Sequence, residues 1–281
     1  VPWILGGSNL FWNKDLFTKA GLDPDKPPDT MDDFVNYAKK ITNGDVYGFA
    51  TPSKDTHENG QWPRRFGGDW FNKDLTQCVA DSKEALAGFQ FLDDLFHKHK
   101  VAMPAAIVDQ QPGLLGYFEA GKIGMITAQN TSANTIRKAK PDIKIGAARM
   151  AKGPADDPMG RACYGGAGLL AVAKTTKAPE QSWKLINWLV TPDALKMWIA
   201  ALGFMSVSPK VNYYPDDPVL SAAQDTLKYT VFWPYTEWIF KFWDIESSGI
   251  QTFVLGQTPV DQAVKDLTQK VNDMLAQQAK Q

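Results

Sequence analysis

The period of hydrophobicity along this chain switches back and forth, and that switching limits the fold more than any other feature. Short apolar runs, Val46 to Thr51, Lys122-Ile-Gly-Met-Ile-Thr127, Ile143 to Met150 and Gly168-Leu-Leu-Ala-Val-Ala173, have the length and composition of buried strands. Between them lie longer segments with apolar residues at helical spacing, such as Phe34, Tyr37, Ala38 and Ile41, or Leu86, Phe89, Leu92, Leu95 and Phe96. Strands alternating with helices predict an α/β fold with a sheet covered on both faces. Punctuation agrees with this reading. Thr30-Met-Asp-Asp33 is a capping box, and Asp81-Ser-Lys-Glu84 repeats the pattern. Gly21, Gly121 and Gly203 stand where helices stop. Thr191-Pro192 and Thr258-Pro259 place proline at a first helical turn. Pro52 to Gly68 shows no period and reads as loop, and helix 219–229 leads to the aromatic segment FWPYTEWIFKFW.

Charge and cysteine content narrow the function. Lys plus Arg number 30 and Asp plus Glu 31, with no dense basic window, which argues against a nucleic-acid partner. No apolar run approaches the roughly 20 residues of a membrane span. His57, His97 and His99 lack a metal-ligand spacing, so neither metal nor cofactor is expected. Cys78 and Cys163 leave pairing open.

Ten tryptophans are the unusual feature of the composition. Broad rings with a polar N–H suit a hydroxyl-rich ligand that offers flat apolar faces, as sugars do. Trp62 in the irregular loop is one candidate, with Arg64 and Arg65 beside it as fork donors to hydroxyls or a phosphate. Trp233 and Trp238, from the dense cluster Trp233, Tyr235, Trp238 and Trp243, are two more, with Glu237 among them as an acceptor. Core packing is the alternative for each, because Trp238, Phe242 and Ile245 also make an ordinary core stripe. Gln129 and Asn130 follow a strand end, where α/β sheets face their crevice. Helix capping by Asn130 or Thr131 is the competing reading. Tyr164, Gly165 and Gly166 combine an aromatic with glycines that permit either close ligand approach or a hinge. A glycoside hydrolase would need facing carboxylates; Asp69, Glu237 and Asp244 are available, but no motif pairs them. No catalytic residue is assigned.

LFWNKDLFTKAGLDPDKPPDTMDDFVNYAKKIT (10–42) resembles the entry into the second lobe of family 1 extracellular solute-binding proteins, the sugar-binding components of ABC importers. FEAGKIGMI (118–126), the segment 164–209 and TPVDQAVKDLTQKVNDML (258–275) resemble further elements of that family in collinear order. The resemblance implies a type II periplasmic-binding-protein-like two-lobe fold. It implies residues 1–9 as a crossover or hinge, 10–165 as the first part of the second lobe, 166–209 as a return to the first lobe, and 210–281 as the end of the second lobe. It further implies a complete second lobe, a first lobe largely missing, and a large apolar face left exposed. The expected ligand is a sugar, with a polyol or glycerol phosphate as the alternative. The expected partners are the importer's membrane subunits, and the expected location is periplasmic or extracellular.

Overall fold

A computed structural model describes residues 1–207 and 211–279, so Pro209, at the end of the returning segment, lies outside the described residues. The organising element is β1 (Pro2–Asn13), a twelve-residue strand that the sequence pattern did not reveal. Its burial changes part-way: residues 2–5 are exposed or half-buried, and everything from Gly6 onward is buried. Its pairing changes at the same place. Pro2 to Gly7 run antiparallel to β5 (Cys163–Leu169), which in turn pairs in parallel with β6 (Thr230–Phe232). Ser8 to Trp12 run antiparallel to β3 (Ile123–Gln129), and Leu10 to Asn13 to β4 (Ile145–Ala148). Beyond β3 lies β2 (Tyr47–Ala50), in parallel. The strand order is therefore β2-β3-β1-β5-β6, with β4 on β1 as well.

Helices cover this sheet. Asn13 caps α1 (Lys14–Lys19) by accepting from the Asp15 and Leu16 amides. Thr30 and Asp33 form the expected capping box on α2 (Met31–Ile41). Thr30→Ala should therefore lower unfolding stability by about 1 kcal/mol in urea titration. The segment expected to be loop instead contains two single-turn helices, α3 (Thr56–Asn59) and α4 (Trp62–Arg65). Then come α5 (Lys83–Phe96), α6 (Gln111–Glu119) and α7 (Ser132–Ala139). The second expected capping box is not made: Ser82 is the N-cap of α5, without a side-chain bond. After β5 the chain forms α8 (Pro179–Leu189) and α9 (Pro192–Leu202), which Gly203 ends in a left-handed conformation. The last helices are α10 (Pro218–Asp225), α11 (Ile239–Val254) and α12 (Val260–Gln278). The strand expected over 168–173 sits earlier, because pairing follows the glycines of Cys163–Leu169 rather than the apolar run after them.

Two apolar cores flank the sheet. One gathers Phe17, Phe34, Phe49, Trp62, Trp70, Phe89, Phe242 and Val271; the other gathers Phe11, Phe118, Ile126, Ile136 and Ile199. Segment 166–207 contributes little to either. Leu169, Trp183, Leu185, Trp188, Met197 and Leu202 all remain exposed. Both cysteines are free and buried, Cys78 beside Asn272 and Cys163 beside Thr226 and Thr230.

Candidate ligand-binding site

The end of β3, the start of β5 and, beyond it, the end of β6 meet at the middle of β1, where its partners change. Polar side chains lock this junction. The Gly7 amide donates to Asn130 Oδ1 at 2.8 Å, and Asn130 Nδ2 donates to the Gly203 carbonyl. Thr226 donates to Asn9 Oδ1 at 2.8 Å, and Asn9 Nδ2 to the Gly7 carbonyl at 3.0 Å. Ser8 Oγ donates to Glu58 Oε1 at 2.5 Å.

An aromatic shelf stands on this junction. After β2 the chain turns at Asp55, whose carboxylate caps α3 by accepting from the His57 and Glu58 amides at 2.9 and 3.1 Å. The cap sets the His57 ring parallel to Tyr164 of β5, with centroids 3.9 Å apart and planes 4° from parallel. Trp243 of α11 meets His57 edge-on at 4.9 Å, and Phe240 meets Trp243 edge-on at 5.1 Å. Phe240 is 71% exposed while His57, Tyr164 and Trp243 are half-buried, so the shelf opens to solvent at its Phe240 end. Beside it lies a cavity of about 260 Å³ lined by Lys54, Asp55, Thr56, His57, Asp109 and Gln110, among others.

Titration states follow from burial. The His57 imidazolium is disfavoured by desolvation, against the pull of Asp55, so its pKa is lowered. Burial, with Tyr235, Asp55 and Glu58 nearby, pushes the Tyr164 phenol up to about 12. The shelf therefore presents neutral rings near neutral pH. Among the described residues no group of His, Cys, Asp and Glu could hold a metal.

The residues singled out by sequence divide into three places. Tyr164, Gly165, Gly166, Gln129 and Asn130 come together at the junction. Gly166 lies under Tyr164: a Cβ there would sit 3.1 Å from the phenol oxygen. Gly165 serves strand packing, since a Cβ would strike Thr230 Cγ2 at 1.8 Å. Asn130 is a structural tie and caps no helix; Thr131 holds the N-cap position of α7.

Trp62, Arg65 and Trp233 are core residues, not surface ones. Trp62 is packed among Phe34, Phe49 and Phe91, with the Arg65 guanidinium 4.5 Å over its ring. Arg65 Nε donates to the Ala162 carbonyl at 2.8 Å. Trp233 packs on Trp70 and Phe242 with Arg64 4.8 Å over it, and Arg64 itself bonds Asp69 and Gln61. The two guanidiniums thus stack on Trp233 and Trp62 inside the core. Glu237 and Trp238 line a different cavity of about 590 Å³ with Leu75, Asn272 and Leu275, and share no lining residue with the shelf.

His57 and Phe240 are shelf residues that the sequence reading did not name as candidates, and Trp243 is one that it placed in the aromatic cluster without choosing it. Two signals pointed to them. Asp55-Thr-His-Glu58 has a helix-capping order, and Phe240 and Trp243 sit three apart, off the Ile239, Phe242, Glu246 face that is buried.

Residues 1–196 match the family described as bacterial extracellular solute-binding protein. The chain belongs to this family. A putative binding protein of Brucella abortus (strain 2308) is 26% identical over 287 residues, covering 98% of this chain and 67% of the relative. The sn-glycerol-3-phosphate-binding periplasmic protein UgpB of Escherichia coli (strain K12) is 26% identical over 208 residues, covering 71% of this chain and 46% of UgpB. Among solved structures, an ABC transporter solute-binding protein of Thermotoga lettingae, bound with α-D-tagatose, superposes with a TM-score of 0.85 at 24% identity. The match covers 98% of this chain and 72% of that one. The fold is therefore that of extracellular solute-binding proteins, mixed α/β as the alternation of strands and helices predicts. No helix of the described residues is long and apolar enough to cross a membrane.

Proposed function

We propose that this solute-binding chain takes a carbohydrate on the shelf of Tyr164, His57, Trp243 and Phe240 and supplies it to an ABC importer. The observation that carries the reading is the shelf itself: a run of neutral aromatic rings that reaches solvent at Phe240, beside a junction rich in amide and hydroxyl groups. Sugars have flat apolar faces and hydroxyl rims, and such a surface matches both. Gln129, beside Gly6 on β1, supplies an amide that can donate and accept at the rim. Junction residues 6–9 of β1 act as the hinge between the parts of the molecule carried by its two halves. The tagatose complex of the Thermotoga lettingae protein supports a sugar for this chain as well.

UgpB favours the second reading, a polyol phosphate. Its weakness is electrostatic. Arg64 and Arg65 are buried in the core over Trp233 and Trp62, so neither guanidinium is presented at the shelf to fork onto a phosphate.

Isothermal titration of the chain with maltotriose, D-tagatose and glycerol 3-phosphate separates these readings. A sugar is expected to bind, with Trp243→Ala weakening it about threefold to tenfold, the worth of one aromatic contact. Trp238→Ala should leave the affinity unchanged. Binding of glycerol 3-phosphate alone, or equal losses from both variants, refutes the carbohydrate shelf.

A further inference from the structure

Helix α3 is held between two carboxyl groups that make no salt bridge among the described residues. Its own Glu58 is 1% exposed and reaches the junction, where Oε1 accepts from Ser8 and the Thr127 hydroxyl also faces the carboxyl. Across the helix, Glu246 of α11 is completely buried, and neither of its oxygens has a hydrogen-bond partner among the described residues. Glu246 sits tight against the C-cap of α3: a Cβ on Gly60 would lie 2.3 Å from Glu246 Oε1. A buried carboxylate without partners is costly to ionise, and it keeps its proton instead.

The charged and titratable groups around α3 do not relieve this. Asp55 at the N-cap adds negative charge toward both carboxyls. Arg65 of α4 faces Glu58, but its guanidinium is held over Trp62 and by the Ala162 carbonyl. Arg64 faces Glu246 while bonded to Asp69 and Gln61. From β5 come Cys163 and Tyr164, both held protonated by burial, and α3 itself carries His57, held neutral. Desolvation, with Asp55 adding to it, pushes Glu58 up to about 8 and raises Glu246 well above the usual carboxylate range.

We propose that α3 is a proton-coupled latch: it stays docked only while Glu58 and Glu246 hold their protons, and its opening frees those protons and lifts the His57 ring off Tyr164. The docked helix is fastened to the hinge through Ser8 and to the shelf through His57, so one four-residue helix joins the two. Only the link to ligand rests on the carbohydrate reading; the latch itself does not.

Amide hydrogen exchange from pH 5 to 9 tests it on the intact chain, through the Asn59 and Gly60 amides that bond to the Asp55 and Thr56 carbonyls. Once corrected for intrinsic rates, protection at these amides should fall about tenfold per pH unit, between pH 5 and 8, for each carboxyl that ionises on opening. Glu58→Gln should remove one tenfold factor from that slope, and Glu246→Gln another. The same amides should exchange faster than core amides such as Met125 of β3. Protection independent of pH in the wild type overturns the latch without any variant, and so does exchange of α3 only together with Met125. Adding maltotriose should raise protection at Asn59 and Gly60. A sloping profile that maltotriose leaves unmoved keeps the latch and removes the ligand reading.

Discussion

Trp70→Ala is expected to lower the free energy of unfolding by about 3–5 kcal/mol, the cost of truncating a fully packed indole. Trp70 is completely buried. Its ring meets Phe89 at 5.3 Å and Phe242 at 5.2 Å, both edge-on, and Trp233 at 6.1 Å. Its Nε1 donates to the Gly60 carbonyl at 2.7 Å, so the helix α3 and the α5–α11 core hang on one side chain. Truncation would open a cavity and strip that carbonyl of its donor in one step. Trp70→Phe keeps most of the apolar volume and loses only the hydrogen bond and the second ring, so it should cost markedly less. Trp238 is half-buried at the edge of the same core, against Phe71 at 5.1 Å, and Trp238→Ala should cost well under half the Trp70 value. Urea titrations with equal m-values give these differences directly. A loss below about 1 kcal/mol for Trp70→Ala contradicts a core packed as described.

The contrast between these tryptophans also shows where sequence reasoning stopped. Local signals were legible. Thr30 and Asp33 need only each other, and α2 starts where they say. Strand β3 was visible because it is an apolar run that follows the helix stop at Gly121, buried on both faces. Strand β1 was not, because it has no period: from Gly6 onward both of its faces are covered, and its first half exchanges partners with its second. The register of β5 depends on contacts far away in sequence. Gly168 is small because a Cβ would meet Ile4 Cγ1 at 2.5 Å, and no window around Gly168 contains Ile4. Helices α3 and α4 span one turn each, too short to show a helical period. The aromatic richness drew attention to residues 233–243, but core and shelf both use Trp. Which ring goes where is decided by Arg64 and Arg65 turning inward to stack on Trp233 and Trp62. That leaves Trp243 and Phe240 for the surface.

The same inward-turned chemistry sets how the whole chain should respond to pH. Glu58 has its folded pKa raised to about 8 from an ordinary 4.5, and Glu246 is raised as well. Unfolding lets both ionise at their ordinary values, so between pH 4.5 and 8 the unfolded chain binds fewer protons than the native one. Stability must therefore fall as pH rises through that window, and level off once the native carboxyls ionise too. Glu58 alone accounts for a decline on the order of 4 kcal/mol from pH 5 to 8. His57 works in the opposite direction: its folded pKa is lowered by burial, so stability rises as pH climbs toward 6.5, which softens the acid half of the slope. Below pH 4 the sign reverses. Asp33, held down by Thr30, and Asp217, held down by the Arg137 fork and the α10 amides, contribute stability that is lost as they take protons. The unfolding free energy from urea titrations should thus peak near pH 5 and be lower at pH 8 by several kcal/mol. Glu58→Gln should raise stability at pH 8 relative to pH 5, flattening the profile, because a neutral amide has no proton to lose. A wild-type profile that rises from pH 5 to 8 would mean that ionised Glu58 and Glu246 are well solvated in the native state, and that the polar seam under α3 is open to water.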